Sequence, residues 1–94
     1  MDDQRLFESL EAVKDEHSFL QFVDLLISNR EAADALASTV DGHQGEWANQ
    51  TIASFLEAAS AWANASAFGE RPGPKSDNPW QLFATFLWAG RGYE

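Results

Sequence analysis

The sequence predicts an all-α fold, a small single-domain bundle of about four helices spanning residues 1–94. Three observations carry the prediction. Apolar residues recur at spacings of three and four through most of the chain, no segment reads as a strand, and turn-forming residues gather in connectors between the periodic segments. A chain of 94 residues buries roughly two-thirds of its unfolded surface. With four Trp and seven Phe, large rings must supply much of that burial.

The first helix is short. Leu6, Phe7, Leu10 and Val13 keep helical spacing, and Asp2 and Asp3 precede them where acids favour the positive end of the helix dipole. Asp15 opens the longest helix, whose apolar stripe is Phe19, Phe22, Val23, Leu26 and Ile27, flanked by Leu20 and Leu25. Ala33, Leu36 and Ala37 extend it to about Ser38, while Ser28, Asn29 and Arg30 interrupt the pattern and mark a candidate break. "TVDGHQGEWANQ" follows as a loop.

The stretch "EWANQTIASFLEAASAWANAS" holds the third helix, capped by Thr51 or Asn49. Ile52, Phe55, Leu56, Ala59, Trp62, Ala63 and Ser66 share one face, which predicts Trp62 in the core against the second and fourth helices. Ala58, Ala61 and Ala65 form an adjoining small-residue stripe that admits a close neighbour. Trp47 precedes the helix and is expected to fold back over its first turn as a hydrophobic staple. "FGERPGPKSDNP" is an exposed connector. Asn78 then caps the last helix with Pro79 at its first position, Gly90 stands where a C-terminal cap belongs, and Tyr93 of the tail is expected to dock on the bundle. On a wheel, Trp80, Leu82, Phe83, Ala84, Phe86 and Leu87 form a broad apolar arc, with Trp88 opposite beside Gln81 and Thr85.

Charge narrows the partners. Fifteen acids against six bases give a formal charge of −9, which repels nucleic acid and anionic membrane surfaces and favours a basic protein surface. Nine of the acids and three of the bases precede Thr39, so the negative potential gathers on the first half. The acidic start "MDDQRLFESL" lacks a basic segment followed by an apolar run, so the expected location is cytoplasmic.

Catalytic chemistry has little to stand on. With no cysteine, thiolate metal sites and cysteine nucleophiles are excluded. His17 lies in the first turn of the second helix, a solvated position, and His43 shares its loop with Asp41 and Glu46 without a metal-motif spacing. No phosphate-binding glycine loop or nucleophile elbow occurs. No metal, cofactor or catalytic residue is therefore assigned.

The phrases "VKDEHSFLQFVDLL", "EWANQTIASFLEAASAWA" and "NPWQLFATFLWAGRGYE", in that order, resemble a family of small acidic, mainly bacterial proteins classed as a domain of unknown function. The resemblance runs from Val13 to Glu94 and includes the family's Trp-x-Asn-x-Thr-Ile pattern at Trp47, Asn49, Thr51 and Ile52. Ala53 and Ser54 stand where that family tends to place acids, which weakens the cap, and Gly92 stands where a bulkier apolar residue is expected. The resemblance implies a free-standing domain and no particular activity.

These readings converge on a non-catalytic protein-interaction module, an acidic inhibitor or immunity-type partner of a basic target. Its candidate contact residues are Trp88, Gln81, Thr85 and Tyr93. For Trp88 two readings stand: a ring covered by the tail or the first helix, or an exposed anchor. Two other functions compete, a metal- or metabolite-dependent enzyme built on the His43 loop and a helical accessory protein that self-associates as a homo-oligomer.

Overall fold

The computed structural model describes residues 3–36, 47–68 and 77–93. Among these lie four helices and no strand: α1 (Asp3–Glu11), α2 (Glu16–Asp34), α3 (Ile52–Ala65) and α4 (Pro79–Gly92). The all-α prediction holds. The loop carrying Asp41, His43 and Glu46, residues 37–38 of the expected extension and the connector 69–76 lie outside the described residues, while Leu36, expected in that extension, lies beyond the end of α2.

The helices α2, α3 and α4 each start where a side chain takes up unpaired amide hydrogens. Asp15 caps α2 by accepting the Ser18 N–H at 2.9 Å, while Ser18 Oγ receives the Asp15 N–H at 3.1 Å, completing a capping box. Thr51 caps α3 in the same reciprocal way through Ser54. The expected weakening of this cap is therefore corrected, because the Ser54 hydroxyl does the work an acid would do there. Asn78 caps α4 through the Trp80 N–H, with Pro79 at the first position.

The Ser18 N–H and hydroxyl bonds hold the Asp15 carboxyl below the usual aspartate range. A lowered folded value means that the carboxylate's contribution is complete above the unfolded pKa of about 3.9 and is lost as pH falls through the folded value. Asp15→Asn keeps an acceptor but not the charge. Urea titrations should show the wild-type advantage over Asp15→Asn shrinking as pH falls below about 4; an advantage growing with acid would contradict the capping role.

The core joins Leu6, Leu10 and Val13 around α1 to Phe22, Leu26 and Ala33 of α2, Trp47, and Ala84 of α4. Phe22 and Leu6 are its largest fully buried side chains. α2 runs unbroken through Ser28, Asn29 and Arg30, and ends at Asp34, where Ala35 and Leu36 donate to Ala32 and Ala33 and tighten the last turn. Asn29 is no break; it is buried and used as an acceptor.

α4 is the central helix. α3 packs along it, α1 and α2 pack against it and each other, and α2 and α3 are not neighbours along their axes. That arrangement corrects the position expected for Trp62, which is only partly buried and does not lie against α2. Its ring meets Phe68 edge-on at 5.6 Å, and Phe68 stacks on Phe86 of α4 at 5.7 Å. Phe68 reaches that place through a Schellman turn. Its N–H returns to Ala63 O at 2.7 Å, with Ala67 and Phe68 both at positive φ, at a cost of about 1–2 kcal/mol for each non-glycine residue. The Trp62–Phe68–Phe86 stack offsets that strain.

Gly90 is not a C-terminal cap. It lies buried inside α4 at the crossing with α3, where an added Cβ would sit 2.9 Å from Phe55 O and 3.0 Å from the Phe55 ring. Gly90→Ala gains about 1 kcal/mol of helix propensity but incurs an overpacking cost of about 1–3 kcal/mol. Net destabilisation of up to about 2 kcal/mol is expected in urea unfolding; a stabilised variant would show that the two helices separate without penalty.

Candidate interaction groove

The segment between Trp47 and Thr51 fastens three helices together. Trp47 is 6% exposed; its Nε1–H donates to Asn29 Oδ1 of α2 at 2.8 Å, and its ring stacks on Phe55 of α3 at 5.9 Å. This is the expected staple, made from four residues before the cap to the fourth residue of the helix. The Ala48 N–H donates to Arg91 O at 3.0 Å, and Asn49 Nδ2 donates to Gly90 O at 2.9 Å and Tyr93 O at 3.2 Å. Two of the last carbonyls of α4, those of Gly90 and Arg91, are thereby satisfied. Gln50 Nε2 donates to Trp47 O and Gln50 Oε1 accepts from Arg30 Nη1 at 2.7 Å, so this segment also closes back on α2.

Because α2 and α3 both lean on α4 but not on each other, a groove of about 580 Å³ opens between them. Val23, Leu26, Ile27, Arg30 and Glu31 form one wall, Ile52, Phe55 and Leu56 the other, and Trp47 and Leu87 also line it. Its rim is apolar and open to solvent: Ile52 is 81% exposed, Ile27 and Leu56 each 51%. Arg30 is occupied within the fold, ion-paired to Asp34, hydrogen-bonded to Gln50 and placed over the Trp47 ring at 5.1 Å. Glu31 is exposed.

The residues expected to bind a partner fall in two places. Gln81, Thr85 and Trp88 are partly buried on α4. Gln81 Nε2 donates to Glu11 O at 3.2 Å at the end of α1, Thr85 Oγ1 donates to Gln81 O at 2.8 Å, and Trp88 meets Phe7 of α1 at 5.7 Å. The polar side of the wheel is thus the side that α1 covers. Tyr93 sits at the other end of α4, 36% exposed, its carbonyl held by Asn49. Among the described residues no group of His, Asp and Glu is placed to hold a metal ion, and His17 is exposed on α2 as expected.

Sequence reasoning passed over the groove because its lining follows helical spacing as a core stripe does. Ile52 and Leu56 are one turn apart on the face that carries Ala59, and Ile27 continues the Val23 stripe. Only the missing α2–α3 contact turns those residues outward. Among the described residues no helix is long and apolar enough to cross a membrane.

Comparison with curated proteins and with solved structures gives no match. The model of a family of unknown function (DUF7660) covers residues 14–94, and the chain belongs to that family.

Proposed function

We propose that this chain is a non-catalytic protein-interaction module of the bacterial cytoplasm, an acidic inhibitor or immunity-type protein that docks a basic target through the α2–α3 groove. The observation that carries the reading is the apolar rim of Ile27, Ile52 and Leu56, open to solvent along both sides of the groove. The net charge of −9 steers such a target, most strongly at low salt. Tyr93 is the candidate contact residue of the α4 set with a free edge, whereas Gln81, Thr85 and Trp88 are engaged with α1 or within α4.

Affinity capture on the tagged chain, from the cell it comes from, tests this. A stoichiometric protein should be held at low salt, eluted by high salt and lost on Ile52→Asp. No such protein at low salt, or one held equally by the variant, would defeat the proposal. The groove also favours a second reading, pairing between copies; sedimentation should then show a dimer that Ile52→Asp dissociates.

A further inference from the structure

We infer that the occupant of the groove is an amphipathic helix of a basic partner, with apolar anchors at i, i+3 or i+4, and i+7 and with Lys or Arg along one flank. This rests on the interaction reading above and specifies what that surface takes. The first argument is backbone chemistry. Apart from the segment from Trp47 to Thr51, the walls and the floor are helices, whose N–H and C=O groups away from their ends are paired internally, so most of the groove's length offers no sheet edge to an incoming strand. An extended peptide laid there would bury its own polar backbone without partners, whereas a helix arrives with these groups already paired.

The second argument is length. The α2 wall runs from Val23 to Glu31, about 12 Å at 1.5 Å per residue, close to the rise between i and i+7 of a partner helix. Leu20, half exposed and nearly in line with Ile27 on α2, extends the apolar strip by one more turn. Across the groove Ile52 and Leu56, one turn apart, offer the matching wall. An intruding helix would rest on Phe55 and Leu87 and lie beside all three of these elements.

Charge selects the partner. Among the described residues, the charged side chains lining the groove are Arg30, committed to Asp34, Gln50 and the Trp47 ring, and Glu31. Asp24, exposed, lies a further 60° or so round α2 from Ile27 at about 100° per residue, on the same flank as Glu31. The outward-facing charge along this margin is therefore negative, as is the chain at −9. A second copy would bring the same −9 to the contact, which disfavours it as occupant.

The test uses the full chain and three synthetic peptides of about five turns. One places leucines on one face at i, i+3, i+4 and i+7 with lysines elsewhere, one scatters the same leucines round the helix, and one replaces lysine by glutamate. The first should bind and shift the amide signals of Val23, Ile27, Ile52 and Leu56. The other two should bind at least about 30-fold more weakly, as should the first peptide to Ile27→Asp or Ile52→Asp, the loss typical of one hot-spot side chain. Ile52 is mostly exposed and Ile27 half exposed, so both variants should keep their helicity and a cooperative unfolding transition, which reports that they fold. Equal binding by the scattered or glutamate peptide, shifts confined to another surface, or indifference to Ile52→Asp would overturn the inference. So would a dimer of the chain alone that Ile52→Asp dissociates. If a captured cellular protein needs Ile52 but is not displaced by the first peptide, the interaction reading stands and the helix assignment falls; if the peptide binds in the groove while no cellular protein is captured, the reverse holds.

Discussion

Trp47→Ala is expected to destabilise the protein by about 3–5 kcal/mol, a large share of the roughly 5–15 kcal/mol available to a domain of this size. The ring is almost wholly buried in the core and stacks on Phe55, and Arg30 lies over it. Truncation removes that packing and also leaves Asn29 Oδ1 with only the longer 3.4 Å bond from Arg91 Nη1. Trp47→Phe separates the two contributions. It keeps a ring against Phe55 but removes the indole N–H, and a buried acceptor deprived of its partner costs about 1–3 kcal/mol. Urea titrations of both variants at constant m should rank them Ala below Phe below wild type. A loss under about 1 kcal/mol for Trp47→Ala would mean that α2 and α3 hold together without the clasp.

Trp47 also shows what can be read from residues alone. Helix starts are written in local chemistry, which is why Asp15, Thr51 and Asn78 announce their caps, and why a ring shortly before Thr51 announces a staple. Helix neighbours are not written locally. α4 carries apolar or small side chains at nearly every position because it is packed on three sides, so its wheel cannot say which arc meets which helix. Phe83, on the expected apolar arc, is half exposed, while Arg91 is buried. Asn29 has the same ambiguity in polar form. Mid-helix it weakens the pattern, and only the arrival of Trp47 Nε1 and Arg91 Nη1 makes it an acceptor buried for a reason. The groove belongs to this class too, since an apolar stripe facing a gap and one facing a core have identical spacing.

The contrasting case is Trp88. Its ring packs on Phe7 at 5.7 Å and carries the Arg91 guanidinium at 5.5 Å, while its Nε1–H is buried with no hydrogen-bond partner among the described residues. Trp88→Ser removes the surface that joins α1 to α4 and should lower stability by about 2–4 kcal/mol, somewhat less than a fully buried ring, because Trp88 is only partly enclosed. Trp88→Phe should behave quite differently from Trp47→Phe. It retains a ring against Phe7 and discards an unpaired donor whose burial costs about 1–3 kcal/mol, so it should lie within about 1 kcal/mol of wild type and could exceed it. The unequal effects expected from one substitution at two tryptophans give the experiment its power, because a general loss of aromatic area would lower both alike. Denaturant unfolding of the two phenylalanine variants, together with capture of the cellular partner by Trp88→Ser, separates the roles. Stability lost with capture retained assigns Trp88 to the α1–α4 contact; stability kept with capture abolished would assign it to the partner surface with Tyr93 and remove the groove from first place.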